Sequence, residues 1–186
     1  MTSFEIVGLV VSPVRRYESR PADGPRGQDG LEQPQIATVR AHRGIAGDRY
    51  FGARHAFAAV TMISVEALER LERLEHHLGT GPFDPRLARR NVITRGLDVD
   101  ALARTDFAID LGAGPIAFRS LTRAHPCAWM DVVYAPGAHP ALRGHGGIRC
   151  EPLSDGELRL GPATLVLVAP IPPTELRSRI SGAMVA

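Results

Sequence analysis

The apolar segments of this chain are short, and almost every one is closed by glycine, proline or a polar turn. Phe4 to Val11 (FEIVGLVV) stops at Ser12-Pro13, and Gln35 to Ala41 (QIATVRA) runs into a glycine-rich turn. Ala58 to Ser64 and Val92-Ile93 are similar runs, and Phe107 to Leu111 meets Ile116 to Leu121 across Gly112-Ala113-Gly114-Pro115. Glu157 to Leu160 and Ala163 to Val168 flank Gly161-Pro162. Short runs of this kind, bounded by turn residues, predict strands and two hairpins. In the second run Ile36, Thr38 and Arg40 alternate with Ala37, Val39 and Ala41, and the first strand is its expected partner. Only Val65 to Leu78 (VEALERLERLEHHL) has a long helical period: Ser64 precedes it, Gly79 follows, and Val65, Leu68, Leu71, Leu74 and Leu78 form one stripe. His76 and His77 fall in its last turn and read as helix termination, because adjacent positions do not face one site. No βα alternation repeats, which disfavours a doubly wound sheet. The expected fold is mainly β: a mostly antiparallel β-barrel with one clear peripheral helix and short helical turns.

The 186 residues suit one domain, 1–186, with a core over about 4–168. Residues 18–34, crowded with Gly, Pro and charge, are expected to form a mobile loop, and 170–186 a partly mobile tail. The longest apolar runs, Ile6 to Val11 and Ala163 to Ala169, are too short to cross a bilayer, so no membrane partner is expected. No basic segment precedes the first apolar run, and a cytoplasmic location is expected. A formal charge of +2 without a clustered basic face gives no reason to expect nucleic-acid binding.

All 22 basic residues are arginine. The absence of lysine excludes a Schiff base, a covalently held pyridoxal phosphate and a lysine-dependent phosphate loop. Any anion held here is held by guanidinium forks or backbone N–H groups.

Three stretches carry chemistry. Leu121 to Cys150 holds both cysteines, the one tryptophan and three of the seven histidines. Cys127 follows Pro126 and precedes a run with helical potential, Ala-Trp-Met-Asp-Val-Val. A sulfur at a helix start favours the thiolate form, which ligates soft metals and attacks electrophiles; the other reading is a small core residue. Gly44 to Gly52 places Asp48 and Arg49 among glycines, as a close backbone approach to a ligand or as a surface turn with a local ion pair. Asp84 to Gly96 frames Val92-Ile93 with four arginines, Asn91 and Thr94, which suits an anion such as a phosphate or a basic strand edge. His125, Cys127, His145 and Cys150 could ligate zinc, but H-x-C followed by H-x4-C matches no common structural zinc pattern. The chain has no nucleophile elbow, HExxH, dinucleotide fingerprint or CxxC pair.

Taken in order, GIAGDRYFG, AVTMISVEALERL, RLARRNVITRGLDVDAL, HPCAWMD and RGHGGIRCEPL followed by GELRLG resemble the motifs of the MOSC domain, the module also found at the C-terminus of molybdenum cofactor sulfurases. The resemblance runs from about Phe4 to Leu167. It implies a β-barrel that binds the molybdenum cofactor, a molybdopterin-type ligand, with Cys127 as the catalytic thiol: a metal ligand or a persulfide-bearing sulfur carrier. It also implies that Arg90, Asn91, Thr94, Arg95 and Gly96, the turn residues Asp48 and Arg49, and Arg149 of the final motif contact the cofactor. Two uses follow: carriage of sulfur or cofactor to an acceptor, or reduction of small N-hydroxylated molecules with electrons from a partner protein. Cys150 departs from the family pattern and reads as a resolving thiol or a buried strand residue.

Overall fold

The computed structural model describes residues 1–26, 33–75 and 83–175. Among the described residues ten strands are formed: β1 (Thr2–Leu9), β2 (Ile36–Arg40), β3 (Gly44–Ile45), β4 (Val60–Ser64), β5 (Val92–Arg95), β6 (Thr105–Asp110), β7 (Pro115–Arg123), β8 (Ile148–Pro152), β9 (Gly156–Arg159) and β10 (Gly161–Pro170). Helices α1 (Val65–Glu75), α2 (Trp129–Val133) and α3 (Ala138–Ala141) join them, with single 3-10 turns between. Seven strands close a barrel in the order β1-β10-β6-β7-β8-β4-β5, and β3-β2-β9 form a second, three-stranded sheet. The mainly β, mostly antiparallel barrel expected from the sequence is therefore the fold.

Among the described strands one pair is parallel, β4 with β5, joined through α1. Parallel neighbours need such a crossover and are covered on both faces. That explains why Val60–Ser64 is buried at every position instead of alternating. Met62 and Val92 point into the barrel with Ile6, Phe107, Phe118 and Ile148. Ile63 and Ile93, one residue on, point outward and are covered by Leu68 and Leu71 of α1, Trp129 and Met130 of α2, and Leu142. The barrel wall thus separates two apolar layers, and α2, with the cysteine before it, belongs to the outer one.

Several local expectations change. β2 pairs with β9 and β3, not with β1, because β1 is occupied on both edges by β10 and β5. The segments around Gly161-Pro162 form strands but not a hairpin: β9 joins the small sheet while β10 turns into the barrel. The predicted hairpin of β6 and β7 is present, and Val99–Leu102 forms the short helical turn expected near Leu97 to Ala103. Of the helical stripe, Val65, Leu68 and Leu71 are buried; His76, His77, Leu78 and Gly79 lie outside the described residues. So do 27–32 of the predicted loop and 176–186 of the predicted tail. The part of that tail that is described packs on the barrel: Ile171 is buried and Glu175 pairs with Arg119.

Candidate functional site

The site is built where four segments meet: the exit of β1, the turn 46–52, the approach to β5 and the start of α2. Asp48 ties the first three together. Its carboxylate is fully buried and accepts from the backbone N–H of Tyr50 (3.0 Å) and Ser12 (3.3 Å), from Asn91 Nδ2 (3.0 Å) and from Arg49 Nη1 (3.3 Å). Asn91, itself without solvent exposure, gives its other amide hydrogen to Val10 O (3.1 Å) and accepts from Thr61 N (3.0 Å) and Thr61 Oγ1 (2.9 Å). Both amide donors and the amide oxygen are thereby engaged within the chain. Asp48 and Asn91 act as internal pins, and the side chain that their network presents outward is Arg49.

Arg49 reaches Arg89 O (3.2 Å) and lies over the Tyr50 ring, 4.7 Å from its centroid. Arg89 takes a left-handed backbone conformation (φ 55°) and donates to Val14 O (3.0 Å). Arg90 donates from Nε to Gly146 O (3.0 Å) and from Nη1 to Ala88 O (3.2 Å). Among the described residues Arg49 alone of this group, in which Arg149 also falls, has a carboxylate partner. Burial, and then the charge of Arg49, holds Arg89 below the usual guanidinium range. Burial, and then the charge of Arg149, does the same to Arg90. Guanidiniums stay protonated in proteins, so these are like charges held together with one carboxylate among them. Such a cluster favours an anion.

Cys127 stands beside this cluster. It is exposed, and its carbonyl accepts the Met130 N–H (2.9 Å) at the head of α2. A negative sulfur here favours the charged form of Arg90 and disfavours that of Tyr17, which places the thiol within electrostatic reach of both. Tyr17 stacks on Trp129, with ring centroids 5.0 Å apart and planes 17° from parallel, and its hydroxyl donates to Leu87 O (2.7 Å). Burial, partly offset by Arg89, pushes its phenol up to about 12. Tyr134 on the far side of α2 is also pushed up by burial.

The predicted site residues therefore divide. Cys127, Arg49, Arg90 and Arg149 come together, with Asp48 and Asn91 behind them. Thr94 is fully buried, its hydroxyl directed at Ile63 O (3.5 Å). Arg95 pairs with Glu69 of α1 (2.8 Å), and the Gly96 N–H is held by Glu66 (2.7 Å). These three belong to the opposite end of β5. Cys150 has no solvent exposure, lies in the barrel core, and has its thiol pushed up by burial, so it is the buried strand residue and not a partner for Cys127. Among the described residues no group of three or more His, Cys, Asp or Glu side chains could hold a metal ion. His145 instead meets Arg70 (2.7 Å) and faces Asp100 (3.7 Å). An open cleft of about 560 Å³ near His145, Arg123 and α1 includes neither Cys127 nor Arg90 in its lining. Sequence reasoning counted Arg89 among the four arginines of the anion-binding stretch without giving it a contact of its own, and missed Tyr17 altogether. Tyr17 stands just before the loop-like composition of 18–34, and no local pattern marks it.

No family model matches the chain, and no curated protein matches it in sequence. Solved structures do match in shape. The YUAD protein from Bacillus subtilis is 17% identical with a TM-score of 0.62, over 87% of this chain and 93% of that one. YiiM from Escherichia coli is 14% identical with a TM-score of 0.58, over 88% of this chain and 70% of that one. YiiM from Geobacillus stearothermophilus is 15% identical with a TM-score of 0.59, over 88% and 75%. At these identities the likeness shows the fold alone, the closed, mainly β barrel.

Proposed function

We propose that this chain binds a molybdenum cofactor of the molybdopterin type, with Cys127 as the protein's thiolate ligand or as the carrier of a persulfide sulfur. The observation that carries this reading is the exposed Cys127 thiol near Arg90, which bonds Gly146 O where Gly146 faces Pro126 and which has Arg149 as its charged neighbour, both guanidiniums lacking a carboxylate partner among the described residues. The donor set fits the group. Thiolate is a ligand for soft centres, the guanidinium cluster matches an anionic phosphate, and a metal held here by one protein thiolate needs its other ligands from its own cofactor. When bound, the cofactor supplies the redox or sulfur chemistry.

The protein's part is to bind and orient. Arg90 and Arg149 take the anionic end, Arg49 and the buried Arg89 add positive charge behind them, and Asp48 with Asn91 keeps Arg49 in place. Thr94, Arg95 and Gly96 support the strand and not the ligand. Either use of Cys127 needs a second protein, a donor of electrons or of sulfur. With Cys150 inside the barrel, a sulfur on Cys127 has its acceptor outside the chain.

Protein purified from molybdate-supplied cells is expected to carry molybdenum and an oxidisable fluorescent pterin, or a cyanide-releasable persulfide sulfur. Cys127→Ser removes them and, as an exposed substitution, changes stability by no more than about 0.5 kcal/mol. Wild-type protein with neither pterin nor persulfide, or a Cys127→Ser variant that keeps both, contradicts the reading. Turnover of an N-hydroxylated compound with an artificial electron donor separates reductase from carrier, since a carrier shows none.

A further inference from the structure

Cys127 is exposed and follows no long helix that could fix it: α2 spans five residues and has no side-chain cap at its start. A helix this short has little stability of its own, so neighbouring packing sets its position. Trp129, two residues after the cysteine, is 5% exposed and provides that packing. Its face is covered by Tyr17, from a connection whose composition gave no sign of ordered structure.

That connection is pinned along its length. The Ser12 N–H is bound by Asp48, Ser12 O accepts the Arg49 N–H (2.8 Å), and Val14 O is held by Arg89. The Tyr17 hydroxyl is fixed on Leu87 O at 2.7 Å, so the ring is anchored at its far end while its face lies on Trp129. Beyond it, the turn Pro21–Asp23 lies against α2. The residues that anchor this segment, Asp48 and Arg89, are themselves in contact with the guanidinium cluster.

We infer that Tyr17 is a positioning residue: its stack on Trp129 holds the Cys127 turn near the Arg90 guanidinium, which is bonded to Gly146 O where Gly146 faces Pro126. The inference rests on Cys127 being the working thiol, but not on what that thiol carries. Removal of the ring frees the turn and takes the sulfur out of the positive field, while Arg90 keeps its bonds to Gly146 O and Ala88 O and Arg149 its place on β8.

The test measures Cys127 alkylation in the native protein by a neutral reagent, iodoacetamide, and an anionic one, iodoacetate; Cys150, inside the barrel, is silent. Guanidiniums around the sulfur concentrate the anionic reagent, so the iodoacetate-to-iodoacetamide rate ratio exceeds that of glutathione and falls with added salt. In Tyr17→Leu the ratio is expected to drop by about threefold or more toward the glutathione value. Tyr17→Phe, which keeps the ring and loses only the bond to Leu87, retains most of it. A general loosening raises both rates together and leaves the ratio unchanged, and that result overturns the inference. Where Tyr17→Leu does not fold, Trp129→Leu removes the other half of the stack and an unchanged ratio there overturns it equally. Molybdenum, pterin and persulfide are assayed in parallel. Their absence together with a falling ratio sinks the proposed function alone, whereas their presence with an unchanged ratio sinks only the role of Tyr17.

Discussion

Asn91 shows at single-residue scale how a motif position can be right in type and different in use. The amide sits among arginines in the sequence and was expected to face the ligand, yet its hydrogen-bonding atoms are spent on Val10, Thr61 and Asp48. Each buried group left without its partner costs about 1–3 kcal/mol. Asn91→Leu orphans several at once, so urea unfolding is expected to show a loss of about 3 kcal/mol or more. A variant of native stability that has lost only its cofactor would instead make Asn91 a ligand contact. The residue types of the site were legible, because thiol, guanidinium and amide each have a narrow chemical use. Their directions were not, since the covering of β5 and its approach buries Asn91 and Thr94 completely and leaves Arg90 half-buried.

Elements decide which halves of a motif meet. Arg90 is bonded toward the turn before β8 and Arg95 toward Glu69 of α1, so the two guanidiniums are directed to different neighbours. The other half of the site depends on the turn before β8. Arg90 holds Gly146 O, and Asp100 receives the Gly147 N–H at 3.1 Å. Gly147 has φ 82°, and a Cβ there would collide with the Met62 carbonyl. Gly112 has a similar φ, 90°, with open space around it. Gly112→Ala should therefore carry only the cost of its backbone strain, about 1–3 kcal/mol. Gly147→Ala adds a backbone clash between β4 and β8 and is expected to lower the melting temperature distinctly further. Equal losses would mean that the turn yields without disturbing the strands. Glycine was legible here as a turn residue, but the contact that demands it comes from Met62, far away in sequence.

At the scale of the whole molecule the barrel closes through pairings between distant segments, β1 with β10 and β5 on its two edges. Its interior is centred on Phe107 and Phe118, fully buried and stacked with centroids 5.6 Å apart across β6 and β7. Phe118→Ala is expected to cost about 3–5 kcal/mol by denaturant unfolding. Because the two rings share one space, the double variant with Phe107→Ala should cost less than the two single losses added together. Strict additivity would show that each ring packs independently. The outer layer, where α2 and Cys127 lie, is separated from this centre by the strand wall, so these changes act on stability and reach the thiol only through unfolding.

The sequence by itself determined the strands, the one long helix, the barrel class and the kinds of side chain gathered for function, because turn residues, apolar period and donor chemistry are local properties. It could not pair β2 with β9 or carry β10 into the barrel, since strand partners are chosen by which edges remain open once the sheet has closed. The sequence favoured Cys127 as the working thiol, but only the tertiary structure decided between a resolving thiol and a buried strand residue for Cys150, by enclosing it while leaving Cys127 outside the wall. The same closure turned Arg90 toward the thiol, Arg95 toward α1, and brought Tyr17 from the far side of the sequence onto Trp129.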